Sequence, residues 1–258
     1  MVKKFKEDMM KTFEMTDLGL MHFFLGIEII QEEEGTFISQ KKYTETLLKK
    51  FKMEGCKTAS TPLDNTKAFK KEDGSPKANE SQFQSMIESL LYLTATRSDI
   101  MYAVSLLSRF MQNPSQVHHG AAKRILRYLQ GTKSYGIWYG VTHDSKLIGY
   151  TDSDWAGSVD DMKSASGYAF ALGSRIFSWA SKKQATVAQS SAEAEYIAVA
   201  ITMSQAIWLK GYLMTRENHK LVPLKSTTIA NLLLQWQRIR YFTAEPNILA
   251  SSIALSEK

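Results

Sequence analysis

Four carboxylates stand out for their surroundings. Asp152 and Asp154 close an apolar run, Leu147-Ile148-Gly149-Tyr150-Thr151, and Glu193 and Glu195 lie just inside an Ala-rich stretch that opens at Ser190-Ser191. The run carries β-branched and aromatic residues and breaks at Gly157, which predicts a strand with an acidic tip. Ser190 or Ser191 suits a helix N-cap, with carboxylates in the first turn behind it. A strand-end Asp facing a first-turn Glu suits a hard cation such as Mg²⁺, because carboxylate oxygens are its preferred ligands. The same acids also suit a solvated strand tip and a favourable pairing with the helix dipole. Residue types alone leave both readings open.

The elements that must position these acids are legible in the pattern. At 258 residues and 44% apolar content the chain has material for one or two domains with a real core. The net charge of +6 and a pI near 9.2 make a polyanionic partner plausible. A single cysteine, Cys56, excludes an intramolecular disulfide framework and a multi-cysteine zinc site. No apolar run reaches the roughly 18 residues needed to span a bilayer. The charged start, Met1-Val2-Lys3-Lys4-Phe5-Lys6, lacks a signal-peptide core, so an intracellular location in cytoplasm or nucleus is expected.

Along the chain, residues 2–14 predict a short amphipathic helix, with a turn at Asp17-Leu18-Gly19. His22–Ile30 and Thr36–Gln40 read as two strands with Gly35 in the turn, and His22 as a structural residue. Lys41–Met53 reads as a helix with Tyr43, Leu47, Leu48 and Phe51 inward and lysines outward. Thr58–Glu80 has the composition of a linker. A helical pair follows, with Phe83, Ile87, Leu90, Leu91 and Leu93 on one apolar face and Ile100, Val104, Leu107 and Phe110 on the other. Gln116–Gly131 is expected to be a helix carrying Lys123, Arg124 and Arg127, which suit either phosphates or the helix C-terminal dipole. Adjacent His118 and His119 make a poor metal pair. Tyr135–Tyr139 is expected to pair with Lys146–Tyr150, and Gly173-Ser174 to join Ser166–Leu172 and Arg175–Trp179 as a hairpin. Lys182 and Lys183 then end the sheet where a nucleic-acid backbone could lie, and helix 190–214 is expected to turn Tyr196, Val199, Met203, Ile207 and Leu213 inward.

Three stretches in order, YTDSDWAG (Tyr150–Gly157), SASGYAFALGSRIFSWASKKQ (Ser164–Gln184) and SSAEAEYIA (Ser190–Ala198), resemble the RNase H domain of copia-type LTR retrotransposon Pol polyproteins. FEMTDLG (Phe13–Gly19), FFLGIEI (Phe23–Ile29) and FISQKKYTETLLKKF (Phe37–Phe51) resemble the same family's reverse transcriptase after its catalytic Asp pair, and AAKRILRYLQGT (Ala121–Thr132) its connecting region. The resemblance implies an α/β fold with an RNase H-like mixed sheet and flanking helices, incomplete here, preceded by a primer-grip hairpin and thumb-like α+β region and a helical connector. It implies domains at 1–63 (reverse transcriptase remnant), 64–80 (linker), 81–134 (connector) and 135–231 (RNase H-like), with 232–258 expected to be an out-of-frame tail. It places the metal-binding and catalytic roles on Asp152 and Glu195, with Mg²⁺ as cofactor and an RNA–DNA hybrid as partner. Asp154 and Glu193 are neighbours without that role, and nucleic-acid contacts fall on Lys123, Arg124, Arg127, Lys182 and Lys183.

The resemblance breaks after residue 217. The family's third acid, in a CDN-type motif, has no counterpart in Lys225-Ser226-Thr227-Thr228-Ile229-Ala230-Asn231-Leu232, and beyond Glu217 the only acids are Glu245 and Glu257. Read two nucleotides out of frame, a permitted back-translation of Gln235–Lys258 resembles what the family carries there, so an indel near residues 226–232 is expected. Losing one carboxylate weakens at least one of two cation sites. The expectation is a truncated, degenerate Pol segment with no polymerase activity and RNase H activity near background. The alternatives are a non-catalytic nucleic-acid-binding remnant or a pseudogene product without function.

Overall fold

The computed structural model describes residues 2–16, 19–64, 68–141, 146–173 and 175–217. The expected turn at Asp17-Leu18, the CDN-replacing stretch and the proposed out-of-frame tail lie outside them. The fold is mixed α/β, with two small antiparallel sheets and helices. In chain order the elements are α1 (Val2–Thr12), β1 (Phe23–Phe24), β2 (Ile27–Glu32), β3 (Gly35–Ser39), α2 (Lys41–Lys50), α3 (Glu80–Leu93), α4 (Met101–Ser108), α5 (Gln116–Gly131), β4 (Gly136–Gly140), β5 (Leu147–Ser153), β6 (Ala165–Leu172), β7 (Arg175–Lys183) and α6 (Ser191–Glu217).

The first sheet runs β1-β2-β3-β4 and corrects two expectations. The single strand expected over 22–30 is broken by a two-residue turn, with Leu25 at φ 47° and Gly26 at φ 77°. Positive φ at both centres matches the right-handed twist of a hairpin, and the Tyr92 hydroxyl on α3 donates to the Leu25 carbonyl to hold it. Second, β4 does not pair with β5; it pairs with β3, in register from Gly35↔Gly140 to Ser39↔Gly136. Glycine decides that fit. A Cβ on Gly136 would lie 2.3 Å from the Ile38 carbonyl oxygen, and one on Gly35 2.4 Å from that of Tyr139. Phe37 and Ile137 are buried on opposite faces of this ladder, across from Trp138 and Ile38, so a long-range contact displaces the local hairpin.

The helices build the main core because their apolar residues recur at i, i+3, i+4 and i+7. Phe83, Met86, Ile87, Leu90 and Leu93 of α3 meet Ala103, Val104 and Leu107 of α4 and Ala122, Ile125, Leu126 and Leu129 of α5. Leu91, expected on that face, is exposed. Asn79 caps α3 by accepting from Gln82 N, and Ser115 caps α5 in a box closed by the His118 imidazole. The stretch expected as a linker is tied down: Leu63 and Phe69 are in the core, each worth about 1.5–3 kcal/mol of burial, and Ala59 N donates to Arg127 O.

The second sheet runs β5-β6-β7, with the expected hairpin turning at Gly173, φ 62°. It is pinned to the helices and to β4 by Ser105 Oγ on Ser181 O at 2.8 Å, Trp179 Nε1 on Thr94 O at 3.1 Å and the Tyr139 hydroxyl on Ile176 O at 3.1 Å. Helix α6 lies on β5 and β6 through small residues, Ala194, Ala198 and Thr202, with Leu209 further along. Tyr196 and Ile207, expected inward, are 75% and 57% exposed. Volume explains the correction: Ala and Thr at i, i+4 and i+8 let helix and sheet approach until Thr202 Oγ1 bonds Thr151 Oγ1 at 2.9 Å, leaving no room for larger side chains. Among the described residues no helix is long and apolar enough to cross a membrane.

Candidate functional site

Asp152 is the penultimate residue of β5, and Glu195 lies in the opening turns of α6. The helix start is built as its residues suggest, with Ser190 Oγ accepting from Glu193 N at 3.1 Å and the Glu193 carboxylate accepting from Gln189 N at 2.8 Å. Glu193 is thereby spent on the helix end. Asp154 is spent on the following loop, accepting from Ala165 N at 2.5 Å and packing so closely on Gly157 that a Cβ there would meet Oδ2 at 2.2 Å.

Asp152 and Glu195 are left to each other. Burial, then the charge of Asp152, raise the Glu195 carboxyl above its ordinary value, with the Ser153 N–H opposing. Burial likewise raises Asp152, opposed by the Ser153 N–H and assisted by Asp154. Glu195 Oε2 is buried and makes no hydrogen bond. A buried carboxylate oxygen beside a second carboxylate demands a proton or a cation. Among the described residues no third His, Cys, Asp or Glu joins them to complete a metal-binding group. A cleft of about 400 Å³ lined by Tyr102, Arg109, Gly157 and Lys183 includes neither acid, and Asp152 is exposed at the end of its strand.

The five cations proposed for nucleic acid divide. Arg124 donates to Thr61 O and Oγ1 at 3.2 and 2.9 Å, and Arg127 Nε to Lys57 O at 2.8 Å, so both fasten the 57–61 segment onto α5. Lys183 pairs with Asp161 at 2.6 Å. Burial pulls Asp161 upward, but hydrogen bonds from Lys183 and Ser158 outweigh it and hold the carboxyl at about 2. Lys123 and Lys182 are exposed. His22 is exposed, and His118 is buried in its cap, stacked on Phe110 at 3.9 Å.

Two features escaped the sequence reading. Gln184 is buried at the joint of β5, β6 and α6; it closes the Ser164–Gln184 stretch of the resemblance, but no role is read for it there. Trp155 is 57% exposed yet fixed by Nε1 to Ala188 O at 3.2 Å, three residues from Asp152.

Residues 1–65 match the family described as "Reverse transcriptase (RNA-dependent DNA polymerase)". The retrovirus-related Pol polyprotein from transposon TNT 1-94 of Nicotiana tabacum is 40% identical over 229 residues, 85% of this chain and 17% of that protein. An uncharacterized mitochondrial protein of Arabidopsis thaliana, AtMg00810, is 40% identical over 197 residues, 76% of this chain and 82% of its own length. The Pol polyprotein from the Arabidopsis transposon RE1 is 39% identical over 203 residues, 79% of this chain and 14% of that protein. The chain belongs to the copia-type Pol polyprotein family. It spans well under a fifth of the transposon polyproteins it matches and most of the mitochondrial relative. Its reverse transcriptase stretch covers α1 to α2 and the first three strands. No solved structure matches it.

Proposed function

We propose that β5–β7 and α6 form an RNase H-like unit of copia-type Pol whose ancestral reaction is hydrolysis of the RNA strand in an RNA–DNA hybrid, with activity near background in this chain. The observation that carries this is the juxtaposition of Asp152 and Glu195, with an unpartnered buried oxygen on Glu195. Asp152 and Glu195 would hold Mg²⁺, which when bound supplies an activated water and charge stabilisation at the scissile phosphate. Ser153 N–H steadies the two carboxylates, and β5 and α6 set their separation. An acid pair at an open strand end fits a polymer laid across it better than a small molecule, which would need enclosure. Trp155, three residues along the chain from Asp152, offers an exposed aromatic face, and Lys182 and Lys123 offer charge to phosphates.

Two divalent cations about 4 Å apart repel by roughly 4 kcal/mol even in water, scaling the unit-charge value fourfold. Two carboxylates offset that poorly, which is the basis for expecting weak activity. The test is cleavage of a labelled RNA–DNA hybrid in Mg²⁺ and then Mn²⁺, with Asp152→Asn as control. Cleavage lost in the control would establish the reaction and overturn the inactivity expected here. Hybrid binding without cleavage would support the second reading, a non-catalytic nucleic-acid-binding remnant, for which exposed Lys123 and Lys182 speak. Neither cleavage nor binding would leave a product without function.

A further inference from the structure

The amide of Gln184 is 2% exposed and joins three elements. The two protons of its Nε2 are shared among three oxygens, Ala194 O of α6 at 2.9 Å, Ser166 Oγ of β6 at 2.9 Å and, longest, Ser153 Oγ of β5 at 3.2 Å. Its backbone N–H is fixed on Ser164 O at 2.8 Å. Ser153 Oγ spends its own proton on Asp154 O at 2.9 Å, so it meets Gln184 as an acceptor. Ala194 O can only accept, so the orientation of the amide is forced.

Ser153 directly follows Asp152, and Ala194 directly precedes Glu195. One buried side chain thus grips the residue beside each carboxylate. Core filling does not explain it, because Leu or Met would occupy the volume without leaving Oε1 buried and unbonded, as it is here. A half-satisfied buried amide is a poor choice for stability, and its use is to define geometry.

We propose that Gln184 is a positioning residue that sets the spacing of Asp152 and Glu195 and thereby their joint affinity for a divalent cation. The cation half of this rests on the RNase H-like reading above. The spacing half does not.

The experiment compares the full chain with Gln184→Met, which keeps the volume but cannot donate, and Leu209→Ala, which removes a buried side chain from the same helix about 21 Å beyond Glu195. Mn²⁺ affinity is measured by calorimetry, and amide hydrogen exchange is followed along α6. The expected result is a tenfold or greater loss of Mn²⁺ affinity in Gln184→Met, with Leu209→Ala within twofold of the parent. Equal losses in both, or none in Gln184→Met, would overturn the proposal. If Gln184→Met does not fold, Ser166→Ala, which removes one of the three acceptors, is expected to lose two- to threefold, and no loss there would overturn it. If the parent binds no Mn²⁺, the cation reading fails and exchange decides the spacing alone. Tenfold faster exchange at Glu195 and Tyr196 in Gln184→Met, absent from Leu209→Ala, sustains it; identical profiles refute it.

Discussion

Replacing Arg97 by Met tests whether the link between the helical core and the first sheet is electrostatic. The Arg97 side chain is 1% exposed and that of Asp99 8%. Nε and Nη2 reach Asp99 Oδ1 and Oδ2 at 2.9 and 2.7 Å, while Nη1 and Nη2 reach Thr132 O and Oγ1 at 2.8 and 2.7 Å. The guanidinium also lies over the Tyr128 and Tyr135 rings, at 5.7 and 5.4 Å from their centroids. These contacts tie the turn before α4 to the end of α5 and the approach to β4. Met fills the aliphatic volume but leaves the Asp99 carboxylate with the Tyr128 hydroxyl and no guanidinium, and leaves Thr132 O without its guanidinium. Removing one partner of a buried pair costs about 3–5 kcal/mol. For a chain of this size, each kcal/mol moves Tm by about 2–4 °C, so a fall of roughly 6–20 °C is expected. Calorimetry or urea denaturation reads it, and removing the stranded charge as well, in Arg97→Met with Asp99→Leu, should recover part of the loss. A single-variant loss below about 1 kcal/mol would refute the reasoning, because the pair would then be no better than a surface ion pair.

The other expectations concern the carboxylates and the cations. Asp152→Asn should stabilise the fold at neutral pH. Both acids of the pair are held above their ordinary values, so the folded chain takes up protons first as pH falls. The stabilising difference between variant and parent should therefore shrink as pH falls through the raised values and be gone below the ordinary values of 3.8 and 4.5; a difference constant between pH 7 and 4 in urea melts would contradict it. Ser115→Ala removes a helix cap and should cost about 1 kcal/mol. Asp73, held at about 2 first by the Ser115 hydroxyl and then by Ser75, should rise toward its ordinary value in that variant. The parent's advantage from this acid is present above 3.8 and lost as pH falls toward 2, which acid titration of both proteins would show. Lys182→Gln should weaken hybrid binding and reduce the salt slope by about one, while Arg127→Gln should instead lower Tm by releasing Lys57 O; equal slopes would remove Lys182 from the interface.

Helices were the most legible part of this fold, since a 3.6-residue repeat is a local property and α2 to α5 carry it in their own residues. The correction at Leu91 fits, because a face is read to within one residue of its edge. Strand pairing was less legible. Gly136-Ile137-Trp138-Tyr139-Gly140 reads as a strand from its own composition, but its partner was decided by where two glycines let backbones touch across about a hundred residues of chain. On α6 the sequence misplaces Tyr196 and Ile207 for the opposite reason: large apolar residues suggest a core face, while the contact depends on Ala194, Ala198 and Thr202 being small. At the site, the acids were visible because carboxylates at a strand end and a helix start are unusual residue choices. Their division of labour comes from the family resemblance and not from residue type, since it rests on which backbone N–H each acid reaches: Asp154 that of Ala165 and Glu193 that of Gln189. Gln184 was invisible for the same reason. A glutamine after two lysines reads as surface, and only the convergence of Ser153, Ser166 and Ala194 on its amide shows that the geometry between the two remaining acids is held by a residue that bears no charge.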